Sequence, residues 1–456
     1  MRLTFYGGAQ EVTGACYLLE SDEIKILVDC GLFQCPKVCE ARSHEPFPFN
    51  ASEIEAVFVT HAHIDHIGRV PKLFKEGFAG KIYSTPATKD LAKIMLEDNL
   101  QLLKKAVAKN GKNGENGEGE LLFGDGDLKS AMENWGDLEY HEEKNIGGFK
   151  IKLLDAGHIL GSAMVEVQAG AKKLVFSGDL GNPPTPLLRP TEKITDANFM
   201  LIESTYGDRV HEDRKERKVK IERVIEDAVK NKGVLMIPAF SLERTQELLF
   251  EFNSLVEEGR VPEVPVFLDS PLAIRATEVY RKYERYYNKE AKYIIDSGDK
   301  VFKFPMLKFT LKTEESKAIN EVPPPKIIIA GSGMSTGGRI LHHERRYLSD
   351  PNSTILMVGY QAAGSRGRQI QDGAKSVKIF GEEVPVRCRV ETIQGYSAHP
   401  DRDALLAFVQ NSADTLQKVF CVQGEPAASL FLVQRIRDYL GIDAIAPRYG
   451  DSFELK

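Results

Sequence analysis

A chain of 456 residues is longer than one small core requires, so at least two compact units are expected. With 42% hydrophobic and 28% charged residues, and no apolar run near the roughly 20 residues of a membrane helix, it reads as a globular protein that does not span a bilayer. A net charge of −6 argues against binding a polyanion over the whole surface but leaves room for a local basic groove, with positive clusters at 339–346, 364–369 and 385–389.

The six cysteines (Cys16, Cys30, Cys35, Cys39, Cys388, Cys421) follow no disulfide framework, and the opening "MRLTFYGGAQEVTG" has no secretory pattern. A reducing cytoplasm is therefore the expected location, with Cys35 and Cys39 as free thiols on a loop.

The first sixty residues alternate apolar and polar positions in short runs broken by glycine: "RLTFYGG", "ACYLLE", "KILVDCG" and "AVFVTH". This predicts strands of a half-buried antiparallel sheet. Helical spacing begins at "TPATKDLAKIMLEDNLQLLKKAV" (85–107). The run "KNGKNGENGEGE" (109–120) has no apolar surface to bury and is expected to be a mobile surface insertion. Strands resume at "FKIKLLDAG", "AMVEVQA", "KKLVFSGD" and "ANFMLIES".

Beyond Ser204 the rhythm changes. Helical stretches at 213–231 and 242–259 alternate with the short apolar runs "GVLMIPA", "PVFLDS" and "KIIIAGS", the pattern of βαβ units around a mostly parallel sheet. The predicted organisation is a first domain over 1–204, a second over 205–369, and a return of strand and helix pairs over 370–456.

The run "THAHIDHIGR" places His61, His63, Asp65 and His66 on one turn after an apolar strand, in a chain with only ten histidines. Alternation sends His61 and His63 to the same side, while Asp65 and His66 lie past the strand end, aimed at a neighbouring position. Four donors so arranged suit two metal ions better than one. His158 in "LLDAGHILGS" and Asp179 in "LVFSGDLGN" stand at strand ends beside glycine, where a loop presents a side chain to a shared site. A carboxylate can bridge two cations, which makes Asp179 the candidate shared ligand. Asp29, ending "KILVD", is the candidate carboxylate that orients a histidine ligand.

"HAHIDH" followed by "GHILGS" and "FSGDLG" resembles the metallo-β-lactamase superfamily. That resemblance implies an α/β fold, a four-layer αββα sandwich with the metals at one edge of its sheets. No histidine lies between Asp179 and the βαβ-rich segment, and the candidate for a last ligand is His399 in "QGYSAHPDR". A domain inserted between two ligands of one site resembles the β-CASP ribonucleases, whose inserted α/β cap makes a cleft for a nucleic-acid strand. "LIESTYGDRVH" is similar to that family's motif A, with its acid at Glu203, and "QGYSAHPDR" to motif C, with its histidine at His399. The tail "VQGEPAASLFLVQRIRD" resembles the RNA-metabolising branch. One departure stands out: where the endonuclease of eukaryotic pre-mRNA 3′-end cleavage carries its motif B histidine, an ungapped reading places Gln369.

The resemblance implies two Zn2+ ions, with Mn2+ as the alternative, held by His61, His63, His158 and Asp179 and by Asp65, His66, Asp179 and His399. A hydroxide shared between them would cut single-stranded RNA to leave a 5′ phosphate and a 3′ hydroxyl. Asp65, Glu203 and His399 are the catalytic candidates, Glu203 either assisting proton transfer or partnering His399. "GSGMSTGG" after an apolar strand makes Ser332 and Ser335 candidate phosphate contacts, and Arg244, Arg366 and Arg368 candidates to track the backbone. A homodimer is possible on this reading. The rivals are a hydrolase of thiolesters or tRNA 3′ trailers on the same metal edge, and a scaffold without chemistry, which the filled ligand positions disfavour.

Overall fold

Six short strands open the chain: β1 (Arg2–Phe5), β2 (Tyr17–Glu20), β3 (Lys25–Val28), β4 (Ala56–Phe58), β5 (Lys81–Ser84) and β6 (Trp135–Asp137). They form one sheet in sequence order. It is mixed rather than antiparallel throughout. β1, β2 and β3 pair antiparallel through short connections, whereas β3–β4, β4–β5 and β5–β6 are parallel. The long connections before β4, β5 and β6 carry helices, among them Val38–His44, Val70–Lys75 and Pro86–Asn110. A crossover of that length returns the chain to the same end of the sheet, which fixes parallel pairing. The computed structural model describes residues 1–34, 38–110, 120–211, 216–359, 361–362 and 364–456. The expected insertion lies, for residues 111–119, outside the described residues, as do Cys35 and the side chain of Cys39.

The second sheet starts with β7 (Glu143–Ile146), β8 (Phe149–Asp155), β9 (Ala163–Ala169), β10 (Lys172–Phe176) and β11 (Phe199–Glu203). Residues 184–189 and 211–398 then form a separate compact unit. Its strands are β12 (Val234–Pro238), β13 (Val266–Leu268), β14 (Leu307–Phe309), β15 (Lys326–Ala330), β16 (Thr354–Met357), the hairpin β17 (Ser376–Ile379) and β18 (Glu382–Pro385), and β19 (Arg389–Thr392). The parallel sheet of this unit runs β14-β13-β15-β12-β16-β19. Its central strands are continuous buried runs such as "KIIIA", as expected for a sheet covered on both faces. The unit continues past Gln369, the boundary expected from the sequence, because β19 pairs with β16 and the hairpin packs Val377, Ile379 and Val384 into the same core.

The chain then returns to the first unit, which comprises 1–183, 190–210 and 399–456. β20 (Lys418–Val422) adds parallel to β11 and β21 (Ala444–Ile445) to β20, while β22 (Ser452–Glu454) closes the first sheet against β1. Period-two alternation explains the layers. Leu174, Phe176, Phe199, Leu201, Phe420 and Val422 point to one side and share a core with Phe5, Tyr17, Val28 and Phe58 of the first sheet. Their alternates Val175, Met200, Ile202, Val419 and Cys421 pack on the other side against Leu405 and Phe408 of helix Arg402–Gln410 and Leu432 and Ile436 of helix Pro426–Leu440. With helix Pro86–Asn110 against β6, the order is helix, sheet, sheet, helix. This is the expected αββα sandwich.

Candidate metal centre

β3, β4, β10, β11 and β20 all end in loops that carry polar side chains to one place. After β4 the chain runs Val59, Thr60, His61, Ala62, His63 and enters the short helix Ile64–Ile67. The loop after β8 adds His158, whose backbone N–H donates to the Ser162 hydroxyl at 2.9 Å. Asp179 follows Gly178, which holds φ +54° and lies so close to Thr60 that a Cβ would sit 2.8 Å from its Cβ. Glycine alone reconciles that conformation with that approach.

Four donor atoms meet there. His61 Nε2 and His63 Nδ1 are 2.9 Å apart, and His63 Nδ1 and His158 Nε2 are 3.4 Å apart. Asp179 Oδ2 lies 3.4 Å from His61 Nε2 and 3.5 Å from His158 Nε2. Ligands at zinc distances in a tetrahedron stand about 3.3 Å from one another, so this cage has the size and chemistry for the ion. Burial, reinforced by neighbouring histidines, holds the His63 and His158 imidazoles well below their usual pKa and hence neutral, as ligands must be. Burial alone would raise the Asp179 carboxyl, but the facing His66 and His61 rings hold it well below its usual range.

The surrounding hydrogen bonds fix the orientation of the rings. Asp29, at φ +59°, accepts the Thr60 backbone N–H at 2.8 Å, the Thr60 hydroxyl at 2.7 Å and His66 Nδ1–H at 2.7 Å. With its own proton given to Asp29, the Thr60 oxygen accepts from His61 Nδ1 at 3.1 Å. The Nε2 atoms of both rings are thus turned toward Asp179.

On the far side of Asp179, His66 Nε2 lies 3.4 Å from Oδ1. Asp65 is partly exposed, and its carbonyl accepts from Ala15 N–H at 2.9 Å. Glu203, fully buried at the end of β11, accepts the Leu180 N–H at 2.7 Å and faces His399 Nδ1 at 2.9 and 3.1 Å through its two oxygens. Burial alone would lower His399; the Glu203 carboxylate outweighs it and pushes the imidazole up to about 9. Asp179, Glu203 and His399 converge closely enough to form a second cluster of donors.

Family models match the chain in three places: the metallo-beta-lactamase superfamily over residues 9–225, a Beta-Casp domain over 245–370, and a Zn-dependent metallo-hydrolase RNA specificity domain over 383–447. Ribonuclease TTHA0252 of Thermus thermophilus is 38% identical over 456 residues, covering 99% of each chain. The chain belongs to the β-CASP family of the metallo-β-lactamase superfamily. Transcription termination factor FttA of Methanocaldococcus jannaschii is 30% identical over all of this chain and 72% of its own. A crystal structure of a protein of unknown function from Enterococcus faecalis has the same fold, with a TM-score of 0.54, 13% identity and coverage of 100% of this chain and 99% of its own. As a member of this family the protein is a metal-dependent hydrolase.

Each of the five β-CASP side chains expected on phosphate has a partner within its own unit. Arg244 is buried and ion-paired with Glu247, and the buried Ser335 hydroxyl donates to Glu344. Arg366 donates to the Ser335 and Lys378 carbonyls, Arg368 pairs with Asp372 at 2.8 Å, and Ser332 Oγ accepts the Thr336 and Gly337 N–H groups. Gln369 is exposed on helix Arg366–Gln371.

Two metal-centre residues escaped the sequence reading. One is Thr60, just before the histidines. The other is Gln423, whose Nε2 reaches Asp179 Oδ1 at 2.6 Å and His66 Nε2 at 2.9 Å. It directly follows the buried apolar strand β20 and adjoins Gly424, a context that by itself does not single out a glutamine.

Proposed function

We propose that the protein is a ribonuclease that hydrolyses phosphodiester bonds of single-stranded RNA, leaving a 5′ phosphate and a 3′ hydroxyl. The observation that carries this reading is the cage of His61, His63, His158 and Asp179 beside the Glu203–His399 pair. The RNA specificity domain model and the ribonuclease named among its relatives support RNA as the polymer.

The cage holds one ion, with zinc the preferred metal and manganese the alternative. A second position is framed by Asp65, His66 and Asp179. Bound metal lowers the pKa of water toward about 7 and offsets charge on the reacting phosphate. Asp179 is anionic toward both positions, and Asp29 with Thr60 keeps His61 and His66 facing them. His399, expected as a ligand, is assigned here to proton transfer. Glu203 holds its Nδ1, so Nε2 is the atom that gives a proton to the leaving 3′ oxygen. Gln369 has no part in this step.

The test uses 5′-labelled and 3′-labelled single-stranded RNA with the wild type and His158→Ala, and a thiolester as control. Cleavage products carrying 5′ phosphates, lost in the variant, are the expected result. Thiolester turnover without RNA cleavage would refute the reading.

A further inference from the structure

The two halves of the centre are built differently. The cage closes on three imidazoles and a carboxylate. On the other side of Asp179, the two atoms that face each other, Asp179 Oδ1 and His66 Nε2, are both contacted by the carboxamide of Gln423, at 2.6 and 2.9 Å. The orientation of that amide is dictated by its neighbours. An ionised carboxylate only accepts, so the hydrogen on Asp179 Oδ1 comes from the NH2 end of Gln423, and the same nitrogen lies 2.9 Å from His66 Nε2.

Gln423 is not a loose side chain that has drifted in. It is 2% exposed and sits in the left-handed region at φ +51°. Its backbone N–H donates to the Gly8 carbonyl at 2.6 Å, and its carbonyl accepts the Thr205 hydroxyl at 3.0 Å. A Cβ on Gly8 would stand 3.2 Å from Gln423 Cγ, so the Gly8 strand-end loop closes over it. His399, the donor nearby other than Asp65, is turned by Nδ1 onto Glu203.

We infer that the metal centre is unequal by construction: the cage binds one ion tightly, and the second position, where Gln423 stands between Asp179 and His66, binds its ion weakly and exchanges it. An ion entering there must break two hydrogen bonds and reverse the amide, and it then gains only a neutral oxygen, a poorer partner for zinc than imidazole or carboxylate. This inference refines the metal site of the proposed nuclease.

The full-length protein, stripped with a chelator and titrated with Zn2+ in a calorimeter, reports the two affinities, and elemental analysis after gel filtration counts the ions retained. The wild type is expected to keep one zinc per chain and to bind a second at least about tenfold more weakly. Gln423→His is expected to keep two. Gln423→Glu supplies an anionic oxygen of nearly the same shape and is expected to narrow the gap as well, which keeps the test open if the histidine variant does not fold. Two zinc ions retained by the wild type with equal affinity, or a folded Gln423→His and Gln423→Glu that both keep only one, would overturn the inference. RNA cleavage is scored separately. Unequal sites without RNA cleavage would refute the nuclease reading alone, and equal sites with RNA cleavage would refute this one alone.

Discussion

Glu203 and His399, nearly two hundred positions apart in sequence, are joined by a 2.9 Å hydrogen bond between Oε2 and Nδ1 at the edge of the metal centre. The same carboxylate accepts the Leu180 N–H, so Glu203 ties the Asp179 loop to the histidine. In Glu203→Gln an oxygen remains for Leu180, but the charge that orients His399 is gone. Single-turnover RNA cleavage is expected to slow by about 100-fold or more in this variant and in His399→Ala, while the ion held by the cage is retained. Loss of that ion on elemental analysis would show a structural role instead.

Asp29 receives three hydrogen bonds, from Thr60 N–H, the Thr60 hydroxyl and His66 Nδ1. Asn tolerates its left-handed backbone, so Asp29→Asn isolates the carboxylate's electrostatic role. Zinc affinity is expected to fall by about 10- to 100-fold, measured by competition with a chromophoric chelator. An unchanged affinity would mean that Thr60 alone orients the rings.

Gly178→Ala places a methyl group where Thr60 already lies and forces a left-handed alanine. Thermal unfolding is expected to report a loss of more than about 1 kcal/mol, with weaker zinc retention because the displaced residue adjoins Asp179. A variant as stable as the wild type would show that the loop has room to move.

In the β-CASP unit, Glu344 is fully buried with one oxygen on the Ser335 hydroxyl and the other without a hydrogen-bond partner among the described residues. Burial pushes this carboxyl up from 4.5 to about 7, against the smaller opposing effects of Ser335 and Arg366. A raised carboxyl means the folded state binds the proton more tightly than the unfolded one. Its favourable contribution is therefore complete below about 4.5 and is lost as pH rises through about 7. Glu344→Gln removes that dependence and is expected to be more stable than the wild type above pH 7, by roughly 3 kcal/mol. Parallel melting curves at pH 5 and pH 8 check it: equal pH slopes in the two proteins would contradict the assignment.

What the sequence made legible was what lay close together in it. His61, His63 and His66 point to a metal because three imidazoles in six positions have few other uses, and β10 and β11 declare themselves by the apolar runs "LVF" and "FMLI". The partnership of Gln423 with His66 spans more than 350 positions, and a single glutamine carries no such signal. The position of β19 was hidden for another reason. "RVET" is a polar edge strand, so nothing in its composition tells that it hydrogen-bonds to β16 rather than to the sheets of the sandwich. The parallel pairing of β3 with β4 was likewise set by a long connection and not by the strands themselves.

The insertion between β11 and β20 also governs how the molecule is made. On the ribosome, β11 emerges with the apolar run "FMLI" and waits for its neighbour while more than two hundred further residues are added, roughly ten to forty seconds at ordinary elongation rates. An unpaired edge of that kind invites wrong pairing, so the nascent sandwich should depend on chaperone cover. His399 and Gln423 lie beyond the insertion, so the metal centre is incomplete until translation has passed them.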